Sequence, residues 1–136
     1  MSTELTVLVL AALWQGVQLV FYALPANLEL GPGKTLSPRD PQRMDTPLDR
    51  QVSIRTGRLN RAYGNHNEAL ILFAISATTI AVTDQSSWFT GLCAWIYLAA
   101  RILYVPAYAY GWVPGRSIIW AAGWGVTMLM LLAALV

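Results

Sequence analysis

The sequence predicts an all-α integral membrane protein, a bundle of four transmembrane helices, and three observations carry that reading. First, the 136 residues are 56% hydrophobic and 12% charged, where a soluble domain has about a quarter of its residues charged. Second, Leu5 to Leu24 and Ser117 to Val136 each run for twenty residues without a charge, and at about 1.5 Å per residue such a helix reaches roughly 30 Å, the thickness of a bilayer core. Third, the charges are segregated. Lys34, Arg39, Arg43, Arg50, Arg55, Arg58 and Arg61 fall between Pro25 and Arg61, and the other two basic residues, Arg101 and Arg116, flank one later turn.

Taken in order, the first helix spans residues 5–24. Nothing basic precedes it, Glu4 is its only nearby charge, and no small-residue cleavage pattern follows Tyr22, so it reads as a retained helix and not a signal peptide. A loop over residues 25–59 follows. It holds Pro25, Pro32, Pro38, Pro41 and Pro47, which break any helix longer than a turn or two. The second helix (60–83) and third helix (88–110) have the uncharged runs Ala69 to Thr83 and Trp88 to Ala100, each extended to spanning length by a polar flank. Pro106 is expected to kink the third. The fourth covers residues 115–136, where Ala121, Ala122, Gly123 and Gly125 offer a small-residue surface for close helix approach. The basic residues place the first and third loops in the cytoplasm, with the Asp84 to Ser87 turn and both termini on the other side.

Several functions are excluded on composition. Glu29, Asp40, Asp45 and Asp49 dilute the basic loop and no aromatic residue interleaves with its charges, which argues against nucleic acid. Cys93 is alone, so there is no disulfide framework or thiolate metal site, and it is read as packing. His66 has no companion at metal-ligand spacing; it is read as a polar boundary residue, and no metal is expected.

The stretch that needs explaining is Arg58 to Ile75, RLNRAYGNHNEALILFAI, because it carries charge into a membrane helix. Arg61, Asn65 and Glu68 are spaced i, i+4 and i+7 and share one helix face. A charge at a membrane helix centre costs about 2.5 to 3.5 kcal/mol on insertion scales, so such residues face a bundle interior and mark a site. The alternative is an ion pair of Glu68 with Arg61 or Arg101 that only fixes packing. In the third helix Arg101, Tyr104 and Tyr108 also align, at i, i+3 and i+7, which separates the two tyrosines from a simple interfacial belt of Tyr110, Trp112 and Trp120. Arg116 and Ser117 open the fourth helix, where the positive end of the helix dipole reinforces the guanidinium and an anion would be stabilised.

These residues resemble a known family. The pattern Arg61-Ala62-Tyr63-Gly64-Asn65-His66-Asn67-Glu68, the run Ala100, Arg101, Tyr104, Tyr108, and the Arg116-Ser117 opening look like the signatures of the membrane-associated proteins in eicosanoid and glutathione metabolism (MAPEG), in a bacterial-type member, over nearly the whole chain. The resemblance implies a homotrimer with glutathione bound between subunits near the cytoplasmic side. Arg61, Asn65, Glu68, Arg101, Tyr104 and Tyr108 would hold the tripeptide, and Arg116, helped by Ser117, would face its sulfur. The chemistry is apt, since arginine forks suit carboxylates, an acid suits the ammonium, and a nearby cation lowers a thiol pKa from about 8.5 toward neutrality. A lipophilic electrophile would arrive through the bilayer. Ala69 and Gly64 stand where some synthases of the family have an aromatic residue and an arginine, and the first loop is longer than in the eicosanoid synthases, so no eicosanoid specificity is implied. Two other classes stand beside this reading: a non-catalytic, lipid- or ligand-binding member of the same family, and a small multidrug exporter, whose essential acid within the first helix has no counterpart in Leu5 to Leu24.

Overall fold

The computed structural model describes residues 1–36 and 47–136, and within them the regular elements are helices: α1 (Thr3–Leu30), α2 (Pro32–Thr35), α3 (Leu48–Gln51), α4 (Ile54–Val82), α5 (Trp88–Ala109) and α6 (Gly115–Ala133). The four long ones run alternately up and down. Glu4 near the start of α1 accepts hydrogen bonds from Ser86, at 2.7 Å, and from Thr90 at the start of α5. At the other end Glu29 of α1 accepts from the Ser53 amide that precedes α4, at 3.3 Å. By length and composition α1, α5 and α6 can each cross a membrane. Helix α4 has the length, but its first half carries the polar patch.

Two boundaries differ from the sequence expectation by more than a helical turn. Helix α1 does not stop at residue 24; it passes through Pro25 and ends at Leu30. A proline removes one amide donor, and here the last turns have other supports. Asn27 Nδ2 donates to the Ala23 carbonyl at 2.8 Å, Thr35 of α2 donates to Asn27 Oδ1, and Ala26 is buried. The helix ends instead at Gly31, whose φ of +84° suits glycine and whose amide bonds to the Asn27 carbonyl at 2.9 Å. Helix α4 begins at Ile54, six residues before the expected start at 60, because Ser53 caps it by accepting from the Thr56 amide at 3.2 Å. Pro32 and Pro47 stand at the first position of α2 and just before α3, where a proline is tolerated. Pro38, Arg39, Asp40, Pro41, Arg43 and Asp45 lie outside the described residues.

The two tight turns are set by local chemistry. Between α4 and α5, Asp84 takes the left-handed conformation (φ 58°) and the Gln85 amide reaches back to the Ile80 carbonyl at 2.9 Å. Ser87 then caps α5 in a reciprocal pair with Thr90. Helix α5 continues across Pro106 to Ala109. Its end is closed by Gly111 (φ 67°), with the Trp112 amide on the Ala107 carbonyl at 2.9 Å, and by Arg58 of α4, whose Nη1 donates to the Ala109 carbonyl at 3.2 Å. A cation at a helix C-terminus also complements the dipole.

Packing is inverted relative to a soluble protein. Leu13, Val20, Leu24, Ile71, Leu103 and Leu132 are exposed, while Glu4, Gln18, His66, Ser76, Thr90, Arg101 and Thr127 are buried. The apolar core joins α1, α4, α5 and α6 around Val7, Ala11, Phe73, Tyr97 and Met130, with the Phe73 and Tyr97 rings stacked 4.0 Å apart. Cys93 packs in that core. His66 is not a boundary residue: it is fully buried between α1 and α4, its Nε2 3.0 Å from the Ala11 carbonyl oxygen. Gly123 brings α6 close to α5, since a Cβ placed there would lie 3.4 Å from that of Ala100, whereas Ala121 and Ala122 remain on the outer surface. The small-residue stretch is therefore split between an internal contact and an outward face.

Gly111 is the most sensitive of the turn positions, because a Cβ there would also meet the Arg58 guanidinium at 3.1 Å. Gly111→Ala is expected to destabilise the fold by about 1 to 2 kcal/mol, the cost of a left-handed conformation for a residue with a Cβ. Gly16→Ala, in the open interior of α1, is expected to be neutral or stabilising by up to about 1 kcal/mol. Unfolding in detergent checks the pair; equal midpoints would contradict the turn analysis.

Candidate functional site

The site is built where α4, α5 and the start of α6 meet. Asn65 faces α5 because it lies one turn beyond Arg61 on the same face of α4, and its Oδ1 accepts a hydrogen bond from Arg101 Nη2 at 2.9 Å. Arg101 is only 3% exposed. Its guanidinium also lies 4.7 Å from the centre of the Tyr104 ring, a cation–π contact three residues along its own helix. Its backbone carbonyl accepts from Trp14 Nε1 at 3.3 Å, which ties α1 to the same turn. Among the described residues Arg101 Nε has no hydrogen-bond partner, and neither has the Tyr97 hydroxyl one turn away.

Tyr104 and Tyr108 pack edge to face, with ring centres 5.6 Å apart. Tyr108 is then gripped from two helices: Arg61 Nε of α4 donates to its hydroxyl at 3.1 Å, and Arg116 of α6 lies 4.8 Å from its ring centre. Three guanidinium groups from three helices thus converge on two tyrosines. The aromatic faces offset part of their mutual repulsion.

Two cavities open on this cluster. One, about 240 Å³, has Asn65, Glu68 and Arg101 at its polar end and Leu72, Tyr97 and Trp124 among its apolar walls. The other, about 230 Å³, is bounded by Asn65, Tyr104, Arg116, Ser117 and Trp120. Asn65 and Trp120 belong to both, so the cavities adjoin, and together they fall in the volume range of small-molecule sites, about 300 to 1,000 Å³. The structure therefore brings Asn65, Glu68, Arg101, Tyr104, Arg116 and Ser117 to the cavity walls. Arg61 and Tyr108 line neither cavity and stand beside them, joined to Arg116 through the Tyr108 ring.

Among the described residues no ion pair joins Glu68 to Arg61 or Arg101; the acid is exposed on the cavity side of α4 and available to a ligand cation. The amides at the start of α6 are less available than the helix dipole suggests. Those of Arg116, Ser117 and Ile118 are taken by the carbonyls of Trp112 and Pro114 at 3.0 to 3.2 Å. Anion stabilisation at this end falls to the Arg116 guanidinium and the exposed Ser117 hydroxyl. From sequence Trp120 reads as part of an interfacial belt, and neither Trp124 nor Tyr97 stands out. Trp120 and Trp124 stack 6.1 Å apart at i, i+4 and continue to Thr127 on one face of α6, a helical spacing that could have revealed a cavity wall.

An anionic ligand with an apolar companion fits such a pair of cavities. The donors that would meet carboxylates are arginines, the one acid would meet an ammonium, and the unpartnered Arg101 Nε and Tyr97 hydroxyl leave polar capacity within the cluster. Glutathione has these groups.

No curated protein and no solved structure gives a significant match to the chain. A family model does, over residues 3–136, essentially the full length. With its apolar spanning-length helices and an arginine–tyrosine cluster at their junction, the chain belongs to the MAPEG family.

Proposed function

We propose that this protein is a membrane-embedded, glutathione-dependent enzyme of the transferase or peroxidase type, acting on lipophilic electrophiles through an arginine-stabilised thiolate. The observation that carries the proposal is the convergence of Arg61, Arg101 and Arg116 on Tyr104 and Tyr108, beside a Glu68 that has no ion pair among the described residues. Arg61 and Asn65 orient the peptide's carboxylates, with Arg101 holding the Asn65 side chain in place. Glu68 takes the ammonium. Arg116 stabilises the sulfur as the anion after its proton leaves to solvent, and Ser117 donates a second hydrogen bond. The thiolate attacks the electrophilic carbon, and the leaving group departs with its electron pair. Leu72, Trp120 and Trp124 supply an apolar wall for the electrophile.

The working unit is a homotrimer of four-span subunits. Glu68 stands midway along α4 and is exposed in the single chain. Lipid contact at that depth would cost a carboxylate about 2.5 to 3.5 kcal/mol, and another subunit laid over the α4–α6 face removes it. Native mass spectrometry in detergent is expected to find trimers; a stable monomer would count against a site shared between subunits.

The chemistry is tested by separating binding from thiolate formation. Glu68→Gln is expected to weaken glutathione binding roughly ten-fold or more, the worth of a charge-assisted hydrogen bond of about 1.5 to 3 kcal/mol. Arg116→Ala is expected to lose most of the thiolate signal at neutral pH with a much smaller loss of affinity, and its turnover of a chlorodinitrobenzene should partly recover as pH rises. Calorimetry and thiolate absorbance on the two variants check this. Loss of binding and thiolate together in Arg116→Ala would make that residue an anchor, and retention of both would shift the role to Ser117.

A further inference from the structure

A second concave site lies on the opposite side of α5, between α1, the start of α4 and the end of α5. Its volume is about 290 Å³ and its walls are Trp14, Phe21, Leu59, Val105 and Pro106. It shares no residue with the two cavities of the candidate site. Trp14 and Phe21 form its α1 edge, packed edge to face with ring centres 6.0 Å apart. Its mouth is at the end of the bundle where α5 terminates. There the exposed Arg55 lies over the Tyr110 ring, 5.5 Å from the centre, and among the described residues no carboxylate pairs with it. Arg58, one turn further along α4, adds a second positive charge at the same end while bonded to the Ala109 carbonyl.

We propose that this groove holds one anionic phospholipid, its phosphate on Arg55 and an acyl chain along Trp14, Phe21 and Pro106. Charge and polarity are ordered along the groove as they are along such a lipid. A cation and a tyrosine, a residue type enriched at the membrane interface, stand at the mouth, and apolar side chains follow along helices of spanning length. Basic pockets between membrane helices bind phosphate headgroups in this way. A narrow groove with one polar end suits a chain and a headgroup better than a second protein surface, and the Arg55 guanidinium at the mouth favours an anionic over a zwitterionic head.

The test uses the full-length protein, delipidated in detergent, with phosphatidylglycerol and phosphatidylcholine of equal chain length followed by native mass spectrometry. The wild type is expected to retain one phosphatidylglycerol per chain with a preference of roughly five-fold, the effect of one basic side chain near a headgroup. Arg55→Gln should abolish the preference, and Arg55→Lys should keep most of it. Leu59→Trp, which fills the groove, should reduce retention of both lipids. An unchanged preference in Arg55→Gln overturns the proposal, as does equal displacement by inorganic phosphate at matched concentration, or displacement by oleate at lower concentration than phosphatidylglycerol. Glutathione binding by Arg55→Gln, measured in the same preparation, is expected to be unchanged, which separates this groove from the thiol site.

Discussion

A guanidinium buried within a membrane helix bundle, contacted by neutral groups and, among the described residues, paired with no carboxylate, is the constraint on which the rest of this structure depends. Arg101 is held by the Asn65 side-chain oxygen and by the face of Tyr104. A carboxylate in place of Asn65 would neutralise the charge and close the site. Asn65 satisfies part of the hydrogen-bonding demand and leaves the positive charge available. That requirement fixes the register of α4 against α5, and the same register places Arg61 on the Tyr108 hydroxyl one turn away. Tyr108 in turn receives Arg116 from α6. The polar face of one helix thereby orders three.

The ends of the bundle are handled by separate devices. At one end Glu4 is buried under Ser86 and Thr90; at the other, Arg58 closes the final turn of α5 and Gly111 makes room for it. Basic side chains at the second end serve distinct purposes, although the sequence presents them as one run. Arg58 caps a helix, Arg61 grips a tyrosine, and Arg55 stands at the mouth of an apolar groove on the far side of α5.

Much of this was legible in the sequence because helical spacing is a strong constraint. The i, i+4, i+7 pattern of Arg61, Asn65 and Glu68 and the i, i+3, i+7 pattern of Arg101, Tyr104 and Tyr108 each define a face, and two polar faces in a greasy chain have to meet. What spacing could not supply was depth and company. His66 looked like a boundary residue because its own helix is polar there; only the packing of α1 reveals the Ala11 carbonyl that meets its Nε2. Pro25 looked like a stop signal because the hydrogen bonds from Asn27 and Thr35 that support the continuing helix come from side chains beyond it. Trp120 reads on its own as an interface aromatic and Trp124 carries no signal by itself; only the position of α6 beside Asn65 turns the two into a wall.

The central claim is that this cationic cluster binds a thiol-bearing peptide anion and holds its sulfur as thiolate. It is tested most directly by titrating the purified wild-type protein with glutathione at neutral pH while following thiolate absorbance and proton release together. The account predicts a saturable absorbance increase accompanied by released protons, with protein-bound thiolate forming well below the ordinary thiol pKa of about 8.5, and no absorbance change with an analogue whose thiol is replaced by a methyl group. Saturable binding of both peptides with no thiolate from either would contradict it, leaving a site that binds the peptide without activating its sulfur.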